Sequence, residues 1–276
     1  MLINFSKMHG CGTDFMVIDA VTQKFFMSEN KIKSLADRRF GVGFDHLLVV
    51  EPPYDPEMDF HYRIYNSDGT EIQMGGNGAR CLAMFVTQKR LINHRDIHVS
   101  TLGGKLVLTM LNDNQVLVNM GNPVFEPAKI PFRAQNRTKT YLLQVDSSHI
   151  LCGVVFTGNP HCILTVDDIN TADVLGLGEK ISVHERFPEK ANVGFMQVIN
   201  VHKIKLRVYE RGIGENLSCG TGACAAVAVG IEQGVLKSPV TVISDGGELT
   251  IEWQGEGYPV MMKGSATLVY DGVIEF

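Results

Sequence analysis

The chain has 276 residues, of which 45% are hydrophobic and 20% are charged, and its formal net charge is −5. This composition is typical of a soluble globular protein that buries a core in one large or two medium domains. The acidic balance offers no basic surface, so we do not expect nucleic acid as a partner. Without a signal-peptide pattern or an apolar run of roughly 18 residues, we expect a cytoplasmic protein with no membrane partner.

The six cysteines do not form a Cys-x-x-Cys pair. In the cytoplasm we expect them to stay reduced, and their spacing does not predict a metal site. No Gly-x-Gly stretch follows a strand with the spacing of a dinucleotide site. We therefore predict neither a metal nor a cofactor.

Short strand-like segments separated by glycine turns run through the chain, and three segments have helical patterns. Residues 28–39 begin with Ser28 as a candidate N-cap and place apolar residues at helical spacing. Residues 78–89 and 222–233 are apolar on nearly all sides, which is typical of a buried helix. The pattern predicts an α/β protein of the α+β kind, with strands wrapped around each apolar helix.

One segment occurs twice. Residues 63–79 carry Arg, Tyr, Glu and a Gly-x-Gly-Ala run, and residues 207–223 carry the same types in register, 144 residues later. Four other matched segments keep the same order in both halves. Such repetition predicts a duplication, with domains at residues 1–120 and 121–264. The last strand, residues 265–276, has no counterpart and is assigned to the first domain.

Each copy runs from a strand through a polar turn into a glycine-rich helix start. Amides at a helix start lack acceptors inside the helix and can hold an anion. The amides predicted to hold a carboxylate are those of Gly76, Asn77, Gly220 and Thr221. The preceding position is Cys219 in the second copy and Gly75 in the first. A helix start lowers the pKa of a thiol, which makes Cys219 a candidate acid and base; the alternative is a buried structural cysteine.

Six motifs together resemble the diaminopimelate epimerase family nearly from end to end: residues 8–10 with 12, 14 and 15, and residues 63–71, 76–81, 158–161, 210–212 and 219–224. The resemblance implies two similar domains with pseudo-twofold symmetry, each a strand barrel around a central helix, and an active site between them. It also implies cofactor-free epimerisation in lysine biosynthesis. One cysteine thiolate removes the α-proton and a thiol on the opposite face returns one.

The residues that match the family's site fall into two groups. The resemblance assigns the distal amino-acid end of the substrate to Asn66, Asn159, Asn192, Glu210 and Arg211. At the reacting end this chain departs from the family. Thr13 and His46 replace residues that contact the reacting amino group, Cys11 and Asn216 replace a leucine and a threonine, and Gly75 replaces the second catalytic cysteine.

Three interpretations of Gly75 remain open: an engineered change, a decayed inactive copy, and a changed substrate or reaction at one end. The retained distal residues favour the third. His46 is either an acid or base for the altered face or a neutral hydrogen-bonding residue.

We predict a cofactor-independent epimerase or isomerase that moves the α-proton of diaminopimelate or a close analogue. Cys219 is the acid and base, and Gly75 and His46 mark the altered face. The alternatives are a non-catalytic amino-acid-binding protein, an inactive epimerase variant, and an enzyme that uses Cys219 as a nucleophile. The expected partner is a small amino-acid substrate, and a homodimer is compatible with the sequence.

Overall fold

The computed structural model describes residues 2–72 and 75–275. They form two compact units, the first reaching to Val118 and including the segment from Lys263 onward, the second comprising Asn119–Met262. In chain order the strands are β1 (Leu2–Gly10), β2 (Thr13–Asp19), β3 (His46–Glu51), β4 (Phe60–Asn66), β5 (Glu71–Ile72), β6 (Asp96–Thr101), β7 (Gly104–Met110), β8 (Gln115–Asn119), β9 (Tyr141–Val145), β10 (Ser148–Phe156), β11 (Pro160–Thr165), β12 (Asn192–Asn200), β13 (Lys203–Glu210), β14 (Gly214–Asn216), β15 (Val240–Ser244), β16 (Gly247–Glu252), β17 (Met261–Ser265) and β18 (Thr267–Glu275). The α-helices are α1 (Glu29–Ala36), α2 (Gly76–Gln88), α3 (Val174–Ser182) and α4 (Gly220–Glu232), and a 3₁₀ turn lies at Pro127–Lys129.

The two units have the same strand connectivity. In the first, β2 is antiparallel to β1 and parallel to β3, β4 is antiparallel to β3 and β5, and β6 is parallel to β4 and antiparallel to β7. In the second, β10 to β16 repeat every one of these pairings in the same order. A flanking strand completes each set, since β18 pairs with β1 and β9 pairs with β10. The repeated connectivity is what a duplicated unit predicts.

A buried helix forms the centre of each unit. All residues from Gly76 to Val86 in α2 and from Gly220 to Gly230 in α4 are buried. Helix α2 packs against β1, β2, β3, β7 and β18, and α4 packs against β10, β11, β12, β13 and β16. A helix enclosed by strands needs apolar residues all round, as both sequences have. The predicted α+β fold class, with strands around a central helix in each unit, is confirmed.

Both central helices begin two residues earlier than predicted, at Gly76 and Gly220 rather than at residues 78 and 222. The glycines weaken the helix signal in the sequence, but burial of the whole first turn outweighs their low propensity. As a result, Gly75 and Cys219 are the N-cap residues themselves.

The outer helices differ more from the sequence prediction. Helix α1 ends at Ala36 instead of residue 39, because the Asp37 carboxylate accepts hydrogen bonds from the amides of Arg39 and Phe40 and closes a turn there. Helix α3 was not predicted. Its N-cap Asp173 accepts from the Gly176 amide at 2.9 Å, which gives the helix a regular start.

In the part of the chain that the structure describes, no helix combines the length and the apolar character that crossing a membrane would need.

Candidate functional site

The N-terminal turns of α2 and α4 are built alike. The Ala79 amide donates to the Gly75 carbonyl at 3.0 Å, and the Ala223 amide donates to the Cys219 carbonyl at 2.9 Å. These are the first bonds of the two helices. The amides of Gly76, Asn77, Gly220 and Thr221, which the sequence predicts to hold a carboxylate, therefore have no acceptor within their own helix. That one carboxylate meets both pairs stays a prediction.

A cross-strand ion pair precedes each helix. Arg63 donates from Nε and Nη2 to the Glu71 carboxylate at 2.8 and 2.7 Å, and Arg207 does the same to Glu215 at 2.6 and 2.9 Å. Such bidentate pairs fix geometry as well as adding energy. The Arg and Glu shared by the two sequence copies thus brace the hairpin that leads into each helix start.

Cys219 is buried, with 6% of its surface exposed. Its Sγ lies 3.5 Å from Oγ1 of Thr221. Burial raises the pKa of the thiol well above its ordinary value and the Glu210 carboxylate raises it further, while the Thr221 hydroxyl and the Gly222 amide lower it. The expectation that the helix start lowers this pKa was therefore wrong for the ligand-free protein, because desolvation of the thiolate outweighs the helix start.

The second unit links the predicted distal residues by hydrogen bonds. The Arg211 amide donates to Oδ1 of Asn192 at 3.0 Å, and the Arg211 guanidinium donates to the Glu189 carbonyl at 2.8 Å. Nδ2 of Asn216 donates to the Glu210 carboxylate at 3.2 Å. Glu210 and Arg211 lie where β13 ends, and Asn192 begins β12. These side chains are held by the frame of the unit rather than as a loose surface pair.

His161 organises the turn that carries Asn159. Its Nε2 donates to Oδ1 of Asn159 at 2.6 Å, and its Cα is in register with that of Asn192 on the parallel strand β12. Complete burial, together with the nearby charge of Arg211, lowers the pKa of His161 to about 3, so the imidazole is neutral.

Some buried polar atoms of the second unit have unused hydrogen-bonding capacity. Among them are Nδ1 of His161, Nδ2 of Asn192 and Oγ of Ser218, none of which has a partner among the described residues. Buried polar groups are nearly always satisfied by protein, water or a ligand. His161 and Asn192, which are in register on neighbouring strands, therefore offer an unused ring nitrogen and an unused amide donor to a polar ligand.

In the first unit, Asn77 is engaged on both sides of its amide. Its Nδ2 donates to Oγ1 of Thr13 at 2.9 Å, and its Oδ1 accepts from Nη2 of Arg80 at 2.9 Å. Arg80 is fully buried and donates also to the carbonyls of Ser265 and Gly76 and to the Cys11 sulfur. Its guanidinium thus adds a positive charge at the start of α2.

Arg80 is not among the site residues predicted from the sequence. The signal was present, because Arg80 is a charged residue inside a helix that is otherwise apolar on nearly all sides. The matching position of the second copy is Cys224, which is also buried. The two helix starts therefore differ at two positions. The first has an arginine and no thiol at its N-cap, and the second has a thiol at its N-cap and no arginine.

An ion-pair network holds the segments that carry Thr13 and His46. Nη2 of Arg38 donates to Asp14 at 2.8 Å and to Asp45 at 2.7 Å. The Asp14 and Asp45 amides each donate to the carboxylate of the other residue, at 3.1 and 2.9 Å. Because Thr13 precedes Asp14 and His46 follows Asp45, the network fixes the backbone next to both reacting-end residues.

His46 is half-buried, and its ring stacks on Phe15 with 5.5 Å between ring centroids. Burial lowers its pKa, opposed by the charges of Asp45 and Asp14 and by a hydrogen bond with the Asn66 side chain. Nδ1 of His46 has no partner among the described residues. Asn66 in turn donates to Oγ1 of Thr70 at 3.0 Å, which fixes the orientation of its amide.

Gly75 leaves space that a side chain could fill. Apart from its chain neighbours, the nearest described atom to an ideal Cβ at this position is Cδ1 of Ile64, at 3.5 Å. This is an ordinary van der Waals distance. Among the described residues, a side chain at position 75 would therefore make only ordinary contacts.

Comparisons with known proteins agree with this architecture. The sequence model of diaminopimelate epimerase matches residues 5–126 and 153–269. Solved structures with the same fold include a hydroxyproline epimerase from Agrobacterium vitis with bound trans-4-OH-L-proline, at 15% identity over 99% of this chain and 92% of that one, with a TM-score of 0.69. A PhzF-family phenazine biosynthesis protein from Bacillus anthracis is 16% identical over all of both chains, with a TM-score of 0.70.

A probable proline racemase from Agrobacterium radiobacter K84 is 14% identical over 99% of this chain and 92% of that chain, with a TM-score of 0.70. At these identities the likeness concerns the fold alone. The family match spans both units and includes both helix starts. The chain belongs to the diaminopimelate epimerase family and is an isomerase of the epimerase class.

Proposed function

We propose that this protein is a cofactor-independent isomerase that moves the α-proton of diaminopimelate or a close analogue, with Cys219 as the acid and base. The observation that carries the proposal is the position of Cys219 as the N-cap of α4, beside the Thr221 hydroxyl and the Glu210 carboxylate. A thiol at a helix start is next to amides that stabilise the negative charge formed when the α-proton leaves. No other cysteine of the second unit occupies a helix cap.

Activation of Cys219 depends on its neighbours. Burial and the Glu210 carboxylate, with which the thiol forms a hydrogen bond, raise the thiol pKa. An ammonium group of the substrate next to Glu210 would cancel the negative charge that raises the thiol pKa. The Gly222 amide and the Thr221 hydroxyl, which favour the thiolate, then act without that opposition. Substrate binding would thus lower the thiol pKa by removing the contribution of the Glu210 charge, which is the largest cause of the raised pKa after burial.

The distal residues support a substrate with a free amino-acid end. The Arg211 guanidinium suits a carboxylate, the Asn192 amide has an unused donor, and the Glu210 carboxylate suits an ammonium. Asn159, oriented by His161, adds a further amide to the same set, and Asn66 is its predicted member in the first unit. The substrate is therefore expected to carry both a carboxylate and an amino group at the end that does not react.

The reacting end differs from the family pattern at Thr13, His46 and Gly75. The amides of Gly76, Asn77, Gly220 and Thr221, which begin α2 and α4, are the groups we assign to the carboxylate of that end. Thr13 and His46 offer a hydroxyl and a neutral imidazole to the group on the α-carbon. These changes support a substituted or otherwise altered analogue of diaminopimelate at this end.

The test is α-proton exchange in D2O, followed by NMR, with three matched compounds. Diaminopimelate has the full distal end, lysine lacks the distal carboxylate, and 2-aminopimelate lacks the distal amino group. We expect diaminopimelate to exchange at least about tenfold faster than the other two, the effect of one lost charged hydrogen bond. Equal rates for all three would contradict distal recognition, and binding without any exchange would favour a non-catalytic binding protein.

Arg211→Gln gives the matching protein change. This change should slow α-proton exchange of diaminopimelate far more than that of lysine, because lysine has no distal carboxylate for Arg211 to bind. Arg39→Gln, at an exposed arginine of the first unit, is the control and should change neither rate.

A further inference from the structure

We propose that this protein transfers the α-proton on one face of its substrate only, so that it exchanges that proton with retention and catalyses a 1,3-proton shift rather than inversion. The inference rests on the proposed function, in which Cys219 is the acid and base. It extends that function, because it assigns a reaction outcome and a substrate class that the family's two-thiol epimerisation does not include.

The first step of the argument is the helix cap of the first unit. Gly75 occupies the N-cap of α2 and has no side chain to give or take a proton. An ideal Cβ there would lie 3.5 Å from Ile64, so the position is not closed to a side chain. No neighbouring ionisable side chain among the described residues lies within 4 Å of that point.

The first unit contains two cysteines, and both are buried. Cys11, 5% exposed, lies in the turn between β1 and β2, and its sulfur accepts from the Arg80 guanidinium at 3.5 Å. Its backbone is left-handed, with φ of 51°. Cys81 is fully buried inside α2, and burial raises its pKa to about 12. Neither thiol replaces the one that Gly75 lacks.

His46 is held in a way that suits binding rather than proton donation. Its ring stacks on Phe15 and hydrogen-bonds to Asn66, whose amide is fixed by Thr70. Burial lowers its pKa, so the imidazole is neutral at physiological pH and is a weak acid. Thr13, the other reacting-end residue, already accepts a hydrogen bond from Asn77. A hydroxyl is also too weak an acid for this role.

The first unit offers stabilisation of an anion instead. The amides of Gly76 and Asn77 begin α2, and the buried Arg80 guanidinium lies one helical turn further on, in contact with the side chain of Asn77. A positive charge and a helix start both stabilise a carboxylate that accumulates negative charge. The start of α2 is therefore suited to stabilising an anion, whereas the start of α4 carries the thiol that can move a proton.

The chemistry balances with one sulfur. The Cys219 thiolate takes the α-proton: an S–H bond forms, the Cα–H bond breaks, and its electron pair moves into the carboxylate as an enediolate. Return of the proton to the α-carbon from the same sulfur gives retention. In a substrate with a β,γ double bond, the sulfur returns the proton to the γ-carbon and the double bond moves to the α,β position. The thiolate is regenerated in both cases.

A single sulfur is sufficient for turnover of an α-amino acid that has a β,γ double bond and a free distal amino-acid end, and this is the substrate class that we assign. The product is an enamine, which becomes an imine in solution and reacts with water to give a 2-oxo acid and ammonia. The 3,4-unsaturated analogue of diaminopimelate is the simplest probe that meets both requirements.

The first experiment compares exchange with inversion. Stereochemically pure diaminopimelate is incubated in D2O, and α-deuterium and stereochemistry are measured together. A missing general acid slows its step by about 10²-fold or more, so wild type should exchange many times for each inversion. In Gly75→Cys, the number of exchange events per inversion should fall to within a few-fold of one. Gly75→Ser, of similar size but without an acidic thiol, should not cause this fall.

Four outcomes overturn the inference. Wild type could invert about once per exchange, or Gly75→Cys could leave the ratio unchanged. His46→Gln or Cys11→Leu could each abolish inversion and leave exchange intact, which would identify the second acid. Absence of any exchange would instead contradict the proposed function, so the two failures are distinguishable.

The second experiment uses the 3,4-unsaturated analogue carrying deuterium at C2. We expect the wild-type protein to release a 2-oxo acid with part of the deuterium at C4, and Cys219→Ala to release none. Because the sulfur also exchanges its proton with solvent, deuterium at C4 reports the fraction returned directly, and release of the 2-oxo acid by Cys219→Ala at the wild-type rate would contradict transfer by the Cys219 sulfur.

Discussion

Gly75 and Cys219 have nearly the same backbone conformation: φ is −141° and ψ is 118° at Gly75, and φ is −128° and ψ is 108° at Cys219. Each is the N-cap of a 13-residue helix. Both conformations are extended ones that any residue adopts. The two units therefore keep the same cap geometry, and the difference between them is a side chain.

This equivalence predicts that a side chain at Gly75 does not disturb the fold. Gly75→Ala should change the free energy of unfolding by less than about 0.5 kcal/mol, because the gain from a stiffer unfolded chain offsets the poorer N-cap. Gly153→Ala is the matched contrast, since its Cβ would overlap Cγ1 of Val229. It should cost about 1–3 kcal/mol. Urea unfolding of both variants measures the difference, and a large loss in Gly75→Ala would contradict the open cap.

A second prediction concerns the reactivity of Cys219. Because burial and the Glu210 charge raise its pKa, iodoacetamide should modify it slowly in the ligand-free protein at pH 8. Glu210→Gln should speed the reaction by about 3- to 10-fold, since a one-unit fall in pKa means tenfold more thiolate. Glu185→Gln, at an exposed position, is the control. Peptide mapping follows the rate of modification at Cys219. An unchanged rate in Glu210→Gln would show that the Glu210 charge does not raise the pKa of Cys219.

The two central helices illustrate what the sequence can predict. Their apolar residues and their repeated order identify buried helices, because a helix enclosed by strands has no polar face. Helix α3 escaped prediction, since Gly176 and Gly178 lower its propensity and its stability comes from packing of residues such as Ile181. Propensity is a local property, whereas packing depends on residues far away in the sequence.

The Cys219 thiol illustrates what the sequence cannot predict. Its place before a helix is readable from the glycine pattern, and a lower pKa follows from that place alone. The actual direction depends on burial and on Glu210, which come from the tertiary structure. The same holds for Arg80, whose contact with Asn77 follows helical spacing but whose contact with Ser265 joins distant parts of the chain.

A third prediction is a loss of stability in mild acid caused by His161. The pKa of His161 falls from 6.5 to about 3 on folding, so between these values the unfolded chain binds a proton that the folded protein does not. The free energy of unfolding is therefore lowered as pH falls from 6.5, by up to about 1.4 kcal/mol per pH unit. His161→Gln should reduce this slope between pH 6 and 4.5.

His149→Gln, at an exposed histidine, is the control for that slope. The measurement is urea unfolding at a series of pH values. An identical slope in wild type and His161→Gln would show that His161 is not held neutral by the fold.

A fourth prediction tests Arg80. Arg80→Met removes the donors to the Ser265 carbonyl and to Oδ1 of Asn77, so it should destabilise the protein by about 3–5 kcal/mol. Arg80→Lys keeps the charge and should cost less, about 1–3 kcal/mol. Arg39→Met, at an exposed arginine, should stay within about 0.5 kcal/mol of wild type. Equal stability of Arg80→Met and Arg39→Met would contradict a central role for the buried guanidinium.

The central claim is that the Cys219 sulfur moves the α-proton, and isotope exchange in Cys219 variants tests it most directly. The α-proton of diaminopimelate is followed by NMR in D2O with wild type, Cys219→Ala, Cys219→Ser and the buried-cysteine control Cys152→Ala, and calorimetry confirms that each binds the substrate. We predict that Cys219→Ala loses exchange by about 10²-fold or more, that Cys219→Ser is similarly slow, and that Cys152→Ala matches wild type. Exchange in folded, substrate-binding Cys219→Ala at the wild-type rate would contradict the account.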